Sequence, residues 1–497
     1  MVHLAAHFVP FERASVGNDD FAHWMTASRM SYGEIAARAL RQPDRPLGFL
    51  LWMTLEKSMA GDPRVGLAVI VACSAAMVLM VWALLATWFE DRTLATLGTL
   101  VFILLPQPLE MFHIPVYAVS NLANVLYLAS LWWMIRWHRT QRTPLLWWSL
   151  ASYSVAILIY ETGFFLPFLA LAAAAAWGQR RRWAHLAWLV PAAAYAIFKC
   201  TRVFGFADPV LNDHRPSLLM VPANAVDLLH HYAGRYLARN VLYGVSQFFA
   251  MEPVWLLAAI VCDVAVLLAL GWWLRRRELR ISAAQTWAAV AVALVFAAPA
   301  LLTSTGGVGG RELVLPSVGV SVVVLWLVAR CRAWWRGVLL AFVAGALVVC
   351  QGNAWTQVVA CRINGTIYET LKDCRQELRA AQRIIIDARS FADAIPFTWV
   401  HQEFNVLNTY YGAQALEDWG LVSMLRSLGV SVETPVYVTA ERPQPLADAQ
   451  LRVTVPTITG YRAVTQHEVT MPRDGTALIA FHDVYPQGFV RGKRAPR

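Results

Sequence analysis

The stretch VGLAVIVACSAAMVLMVWALLATWF (residues 65–89) has no charged side chain. About 20 consecutive apolar residues in a helix are enough to cross the hydrocarbon core of a bilayer, so this stretch predicts a membrane-spanning helix. The whole chain agrees, because 58% of its 497 residues are hydrophobic and only 15% are charged. Soluble chains carry about 25% charged residues, and disordered chains carry few apolar ones. The composition therefore excludes a wholly soluble protein and a disordered one.

Further apolar runs occupy most of the chain up to about residue 352. Several are shorter than a complete span, so their ends are approximate. The sequence predicts a polytopic α-helical membrane protein with about 10–11 transmembrane helices and a small C-terminal α/β domain. The ten apolar runs lie at about 65–89, 94–108, 114–135, 145–160, 162–177, 183–200, 253–274, 283–303, 313–329 and 336–352.

Arginine clusters between the runs predict the orientation of the chain. Alternate connections contain three or four arginines each, whereas the short connections between them contain only Arg311. Lys and Arg collect on the cytoplasmic side of membrane proteins, so the arginine-rich connections should be cytoplasmic. This pattern accounts for most of the net charge of +10 and argues against nucleic-acid binding. The arginine-rich connections are residues 136–142, 180–183, 275–280 and 330–336.

This orientation predicts three regions. Residues 1–64 form a first extracytoplasmic loop region, 65–352 the transmembrane core, and 361–497 an extracytoplasmic soluble α/β domain. The Arg- and Ala-rich composition suggests a bacterial protein, so we expect a multi-pass protein of the inner (plasma) membrane. An outer first loop normally follows a helix that enters from the cytoplasm, and residues 1–12 are too short to span. We expect a truncated first helix; the alternative is an N-terminus that is translocated unaided.

The tail has the mixed composition of a soluble domain. Helical patterning fits 366–382 and about 413–428, the second ending before Gly429. Candidate strands lie at 383–388, 436–440, 451–456 and 477–483.

Two cysteines of the tail region lie where disulfides are permitted. Cys361 and Cys374 are both predicted to be extracytoplasmic, and a bridge between them is one interpretation. If the intervening segment is one continuous helix, the two thiols are too far apart to pair.

An acidic pair precedes the membrane on the predicted outer face. Asp19 and Asp20 lie in VGNDDFAHW. One carboxylate of such a pair can act as a general base while the other tunes its pKa or orients a partner. The alternative is a solvated loop or a helix N-cap. Further along the same loop region, Arg45 opens the apolar segment RPLGFLLWM (45–53).

Two more ionisable residues lie on the predicted outer face. Glu161, between two spans, is a site candidate because ionisable residues are rare in such apolar surroundings; alternatively it caps a helix that starts at 162. His113 is a site candidate or a hydrogen-bonded packing residue. Glu110 is close to it, but no further His or Asp spacing suggests a metal site, so we expect no divalent metal.

Arg311 follows the glycine-rich loop TSTGGVGG (303–310) and is followed by Glu312. Glycines let backbone N–H groups approach an anion, and a guanidinium donates two hydrogen bonds to a phosphate. The positive-inside pattern does not explain this arginine. The alternative is a structural ion pair of Arg311 with Glu312 or with Glu161.

These elements, in this order, resemble the GT-C superfamily of integral-membrane glycosyltransferases, in particular its protein O-mannosyltransferase-like branch and bacterial relatives. The resemblance covers about residues 13–350. It rests on the order of the motifs and on their common position at the predicted outer face. The matching elements are the Asp19–Asp20 pair, the RPL element at Arg45, the segment LPQPLEMFHIPVYAVSN (105–121), Glu161 followed by Pro167, and GRELVLPSVG (310–319).

The resemblance implies an inverting transfer of a sugar from a polyprenyl-phosphate carrier to an extracytoplasmic acceptor, such as a protein, a lipid or a cell-envelope glycan. Asp20 or Asp19 would deprotonate the acceptor hydroxyl. Arg311, with Arg45 as the second candidate, would hold the departing lipid phosphate, where charge stabilisation contributes strongly. Glu161, His113 and Glu312 would be further members of the site.

Two other functions fit the same sequence. A transporter or flippase for a lipid-linked or small polar solute would show paired halves and interrupted helices at the bilayer midplane. Here no half-repeat is visible, and the site candidates collect at one face. The third interpretation is an inactive scaffold that presents the tail domain to partners.

Overall fold

In the computed structural model, the chain forms two compact units. The first unit includes Tyr32–Leu55 and Gly66–Ala354, and the second includes Glu56–Val65 and the described part of Trp355–Arg497. The structure describes residues 27, 30–41, 45–59, 64–105, 117–176, 182–202, 221–230, 240–303, 313–387, 424–431, 433–439, 443–446, 449–459 and 463–480.

Helices dominate the described residues, and each predicted apolar run contains one. They are α1 (Tyr32–Arg41), α2 (Pro46–Met59), α3 (Arg64–Phe89), α4 (Arg92–Leu104), α5 (Ala118–Thr140), α6 (Thr143–Ile159), α7 (Leu166–Ala176), α8 (Leu189–Arg202), α9 (Val221–His230), α10 (Asn240–Phe249), α11 (Pro253–Leu274), α12 (Ala283–Thr303), α13 (Val314–Arg330), α14 (Trp335–Asp373) and α15 (Arg375–Ala380).

Four segments of the described chain are long and apolar enough to cross a membrane. They are Arg64–Phe89, Ala118–Thr140, Pro253–Leu274 and Arg332–Trp355. Six further apolar helical segments have 10–17 residues: Arg92–Leu104, Thr143–Ile159, Glu161–Ala172, Leu186–Lys199, Ala283–Pro299 and Val314–Arg330. The chain is thus built from apolar helices of membrane-spanning character, as its composition predicts. The full count of 10–11 spans stays a prediction.

The first unit has an arginine-rich end, defined by Arg139, Arg277, Arg330 and Arg336. Arg139 pairs with Glu90 at 2.7 Å, which joins the ends of α3 and α5. Arg336 Nη2 donates to the Arg277 carbonyl at 2.8 Å, which joins the start of α14 to the end of α11.

Helices α5 and α6 form a hairpin whose connection, residues 141–142, lies at this arginine-rich end. The Ser130 and Ser149 hydroxyls each donate to the other residue's carbonyl, at 2.8 and 2.7 Å. Trp188 Nε1 donates to Ser149 Oγ at 3.1 Å. Since α6 has 17 residues, its two ends are about 25 Å apart. Its C-terminal end therefore lies close to one bilayer thickness away from the arginine-rich end.

The second unit contains two three-stranded sheets. The first has the order β2-β1-β6, all parallel, with β1 at Arg383–Asp387, β2 at Val436–Thr439 and β6 at Thr476–Ala480. The second is antiparallel, with the order β3-β4-β5 at Gln444–Leu446, Gln450–Thr459 and Ala463–Pro472. Ile385 of β1 packs with Leu451 and Val453 of β4 and Met471 of β5, which joins the sheets into one core.

The four predicted strands are confirmed, and β3 and β5 are additional. Of the predicted helix 413–428, only 424–428 is described; 424–427 is helical, and the helix ends before Gly429. Gly429 has φ +86°, and Val430 N–H donates to the Leu425 carbonyl. This is the left-handed ending that glycine allows.

The helical patterning predicted at 366–382 is confirmed for 366–373, the end of α14, and for 375–380, which is α15. Helix α14 continues without interruption from the apolar segment to Asp373. The interpretation of a disulfide between Cys361 and Cys374 is therefore wrong. Residues 361 and 374 are separated by about 20 Å along a helix, whereas bridged cysteines have Cα atoms within about 7 Å. Cys374 is a free thiol.

Candidate functional site

An ion pair at the C-terminal end of α6 joins two of the predicted site residues. Arg45 Nε donates to Glu161 Oε2 at 2.7 Å, and Arg45 Nη2 donates to Glu161 Oε1 at 2.8 Å. Two parallel, charge-assisted hydrogen bonds fix the guanidinium in the plane of the carboxylate. Each side chain is 28% exposed, so the pair is partly shielded but still accessible.

The start of α2 lies close enough to α6 for this pair because of Gly48. A Cβ at this position would collide with the Ile159 carbonyl oxygen at the end of α6. Arg45 itself has φ 47°, in the left-handed region that non-glycine residues seldom adopt. Backbone strain of this kind costs about 1–3 kcal/mol and concentrates at functional sites. The contact through Gly48 and the strained residue together position the Arg45 side chain at Glu161.

Lys199 adds a second cation to the same carboxylate. Its Nζ lies 3.5 Å from Glu161 Oε1, and its side chain is 16% exposed. Lys199 comes from the last turns of α8 and lies over the Tyr195 ring at 5.7 Å. Arg45 lies over the Tyr160 ring at 4.1 Å. Three chain segments therefore meet at Glu161, and both cations also contact aromatic faces, which favour positive charge.

The turn that carries Glu161 is held by buried polar contacts. Tyr127 Oη donates to the Tyr160 carbonyl at 2.7 Å, and Tyr153 Oη donates to the Phe164 carbonyl at 2.7 Å. Thr162 Oγ1 donates to Asn124 Oδ1 at 3.1 Å. The turn is thereby fixed against α5 and α6.

Gly163 completes this support, because a Cβ there would collide with the ring of Tyr127. Helix α12 also contacts the Glu161–Gly163 turn. Helix α12 is followed in the chain by the loop that contains Arg311, and α13 resumes at Val314.

The electrostatics of the cluster keep Glu161 ionised. Burial raises the pKa of its carboxyl, but the charges of Arg45 and Lys199 and the hydrogen bonds from Arg45 outweigh burial and hold the pKa well below its usual range. The three side chains carry two positive charges and one negative charge. This net positive charge suits the binding of an anion, and Arg45 and Lys199 are the residue types that contact phosphate.

The structure brings together Arg45 and Glu161, and it describes none of the other predicted site residues. Asp19, Asp20, His113, Arg311 and Glu312 lie outside the described residues. The alternative in which Glu161 caps a helix starting at 162 is wrong. Glu161 begins a short 3₁₀ turn, α7 starts only at Leu166, and the carboxylate binds Arg45 and Lys199.

The sequence interpretation missed two polar residues of the first unit. Lys199, the last charged residue of the apolar run 183–200, could have been found as a cation at the predicted outer end of that run. Asp263 lies at the middle of the otherwise uncharged α11, where its Oδ1 accepts a hydrogen bond from Gln351 Nε2 at 2.7 Å. A carboxyl group in the middle of an apolar span is a functional candidate visible in the sequence.

Among the described residues, no group of three or more His, Cys, Asp or Glu side chains could hold a metal ion. Compared with known proteins, the chain matches no family model, no curated protein and no solved structure.

Proposed function

We propose that this chain is a membrane glycosyltransferase of the GT-C type. It takes a sugar from a polyprenyl-phosphate carrier and transfers it, with inversion, to an acceptor hydroxyl on the extracytoplasmic face of a bacterial inner membrane. The observation that supports this best is the Arg45–Glu161–Lys199 cluster. It is a partly exposed cationic cluster, about one bilayer thickness from the arginine-rich end.

The charge and position of the cluster suit the phosphate of a lipid carrier. Its isoprenoid chain would lie among the apolar helices, and its phosphate would lie at the membrane boundary. Glu161 holds the Arg45 guanidinium in one orientation, so little side-chain entropy is lost when an anion binds. Lys199 supplies a second charge within reach of the same anion.

In the proposed reaction, Asp20 or Asp19 removes the proton from the acceptor hydroxyl. The acceptor oxygen attacks the anomeric carbon, and the bond from that carbon to the phosphate oxygen breaks. The electron pair leaves with the polyprenyl phosphate, whose developing charge is stabilised by Arg311 together with Arg45 and Lys199. Such stabilisation by cations already in place lowers the barrier strongly.

The test uses the purified full-length chain with undecaprenyl-phosphate hexoses as donors and native envelope membranes as the acceptor source. Release of free undecaprenyl phosphate is measured. We expect release by the wild type and a loss of at least 100-fold for Asp20→Asn, Arg311→Ala and Lys199→Gln. Arg92→Gln, an exposed change at the start of α4, is the charge-matched control and should retain activity. No release with any donor, or unchanged release by the three variants, contradicts the proposal.

A transporter or flippase is the second candidate, and Asp263 favours it. Transporters bind solutes and coupling ions near the bilayer midplane, where an ionisable residue is otherwise costly. The two functions are distinguished by Asp263→Asn. In an enzyme that works at the Glu161 end, this variant retains release of undecaprenyl phosphate. In a transporter, it abolishes movement of the lipid-linked sugar across reconstituted vesicles.

A further inference from the structure

The arginine-rich end of the first unit carries a cavity that the proposed reaction does not use. Its volume is about 500 Å³, and it lies between the connection 279–282 and the last turn of α13. Two arginines, Arg280 and Arg330, line it together with Ser282 and Trp326. The cavity is therefore both cationic and partly apolar.

The backbone around the cavity is fixed by a reciprocal cap. Ser282 N–H donates to Gln285 Oε1 at 2.8 Å, and Gln285 N–H donates to Ser282 Oγ at 3.2 Å. This capping box starts α12 and orients the connection that carries Arg280. Arg336 holds the beginning of the same connection through the Arg277 carbonyl. The cavity wall is thus a defined part of the fold.

The charge around the cavity is strongly positive. The segments 275–280 and 330–336 together contain seven arginines and one carboxylate, Glu278. Glu278 pairs with Arg280 at 2.8 Å, but both side chains are highly exposed, and an exposed pair contributes little. The surface therefore attracts anions.

Tryptophans place this surface at the depth of lipid headgroups. Trp rings collect at the membrane–water interface because they combine an apolar body with a polar N–H group. Three of them are more than 70% exposed at this end: Trp272, Trp287 and Trp334. In the segments 272–280 and 326–336, three arginines lie over indole rings: Arg330 is 4.7 Å from the Trp326 ring, Arg277 is 5.2 Å from the Trp273 ring and Arg336 is 5.3 Å from the Trp335 ring.

We propose that this cavity binds the headgroup of an anionic phospholipid. Arg280 and Arg330 hold the phosphodiester, and the acyl chains lie along the exposed apolar side chains of α11 and α13, such as Leu268 and Leu327. Basic pockets between membrane helices select acidic headgroups in this way. The site lies at the opposite end of the helices from Glu161, so it does not depend on the proposed reaction.

The test measures lipid retention by the purified full-length chain using native mass spectrometry. The protein is equilibrated with mixed micelles of phosphatidylglycerol and phosphatidylcholine of equal acyl length. We expect preferential retention of phosphatidylglycerol, and roughly 25-fold weaker retention in Arg280→Gln/Arg330→Gln, since each basic residue near an anionic surface contributes about fivefold. Glycerol phosphate, which has the anion without the acyl chains, should not displace the lipid at equal concentration.

The control pair is Arg136→Gln/Arg142→Gln, which removes the same charge from the same end without touching the cavity. Equal retention of the two lipids, or equal loss in the control pair, overturns the proposal. Displacement of the lipid by glycerol phosphate would show a site for soluble anions instead, and this result also overturns the proposal.

If the double variant does not fold, photo-crosslinking of the wild type with a headgroup-labelled phosphatidylglycerol tests whether the lipid binds at the cavity. Labelling must map to residues 279–285 and 326–330, and labelling elsewhere refutes the site.

Discussion

Arg45 and Glu161 lie 116 residues apart in the chain and are joined by two hydrogen bonds of 2.7 and 2.8 Å. This pair connects the start of α2 to the turn after α6. Because Lys199 of α8 pairs with the same carboxylate, Glu161 links side chains from three segments of the chain.

The first prediction concerns the energy of this pair. We expect Arg45→Gln and Glu161→Gln each to lower the free energy of unfolding by about 1–3 kcal/mol, because each leaves a partly shielded charge without its main partner. The double variant should lose less free energy of unfolding than the sum of the losses in the single variants, and thermal or SDS unfolding in micelles measures the difference.

The control pair is Arg139 and Glu90, whose side chains are 38% and 72% exposed, respectively. The coupling free energy of this exposed pair, from the same double-mutant cycle, should stay below about 1 kcal/mol. Equal coupling in the two pairs would contradict the prediction.

The second prediction concerns pH. The folded-state pKa of Glu161 lies below its ordinary value of 4.5, so the unfolded chain takes up a proton first as the pH falls. The stability difference between wild type and Glu161→Gln should therefore be constant from pH 8 to about pH 5. It should shrink only below about pH 4.5. In an Arg45→Gln background the same comparison should give a smaller difference at every pH. A difference that already declines between pH 7 and 5 would rule out this ion pair as its source.

The third prediction concerns the close approach of α2 to α6. Gly48→Ala should destabilise the protein by about 1–3 kcal/mol, because the added Cβ collides with the Ile159 carbonyl and pushes Arg45 away from Glu161. Gly345→Ala is the matched control, since a Cβ there meets nothing within 4 Å inside α14. It should be neutral or stabilising by up to about 1 kcal/mol. Unfolding midpoints of the two variants check this, and equal midpoints would show that Gly48 is not a contact point.

The fourth prediction concerns the cysteines and the orientation of the chain. Cys374 should react with maleimide without prior reduction, because it is a free thiol. With a membrane-impermeant maleimide on right-side-out vesicles, the predicted topology has Cys374 labelled and the exposed Cys331 protected. Cys374→Ser and Cys331→Ser identify each product by mass. Labelling of Cys331 in sealed vesicles would reverse the predicted orientation.

The helices of the ten apolar runs and four of the six described strands could be predicted from local sequence, and the failures have a physical pattern. The apolar segment at 253–274 and the helix Pro253–Leu274 coincide, because a run of apolar residues long enough for a bilayer needs no other information. Strand β5 was missed because its residues alternate weakly and include His467 and Glu468. What makes it a strand is its pairing with β4, which sets Val469 opposite Val453.

The continuity of α14 was also missed, because composition changes from apolar to charged near residue 361 while helix formation does not stop there. Composition reports where a segment is buried, whereas a helix ends only where capping or a breaking residue ends it. The interpretation of a Cys361–Cys374 disulfide failed because this continuous helix keeps the two residues apart.

The sequence by itself determined that this is a chain of apolar helices with arginine-rich connections and a small sheet-containing tail. These properties depend on neighbouring residues and on the solvent that surrounds them. Only the tertiary structure decided that Arg45, Glu161 and Lys199 form one cluster, that Asp263 bonds to Gln351, and that Arg280 and Arg330 line one cavity. Each of these sets joins residues that are distant in the chain. Their contact depends on how helices pack and on where a residue such as Gly48 lets two backbones approach, and no local pattern carries that information.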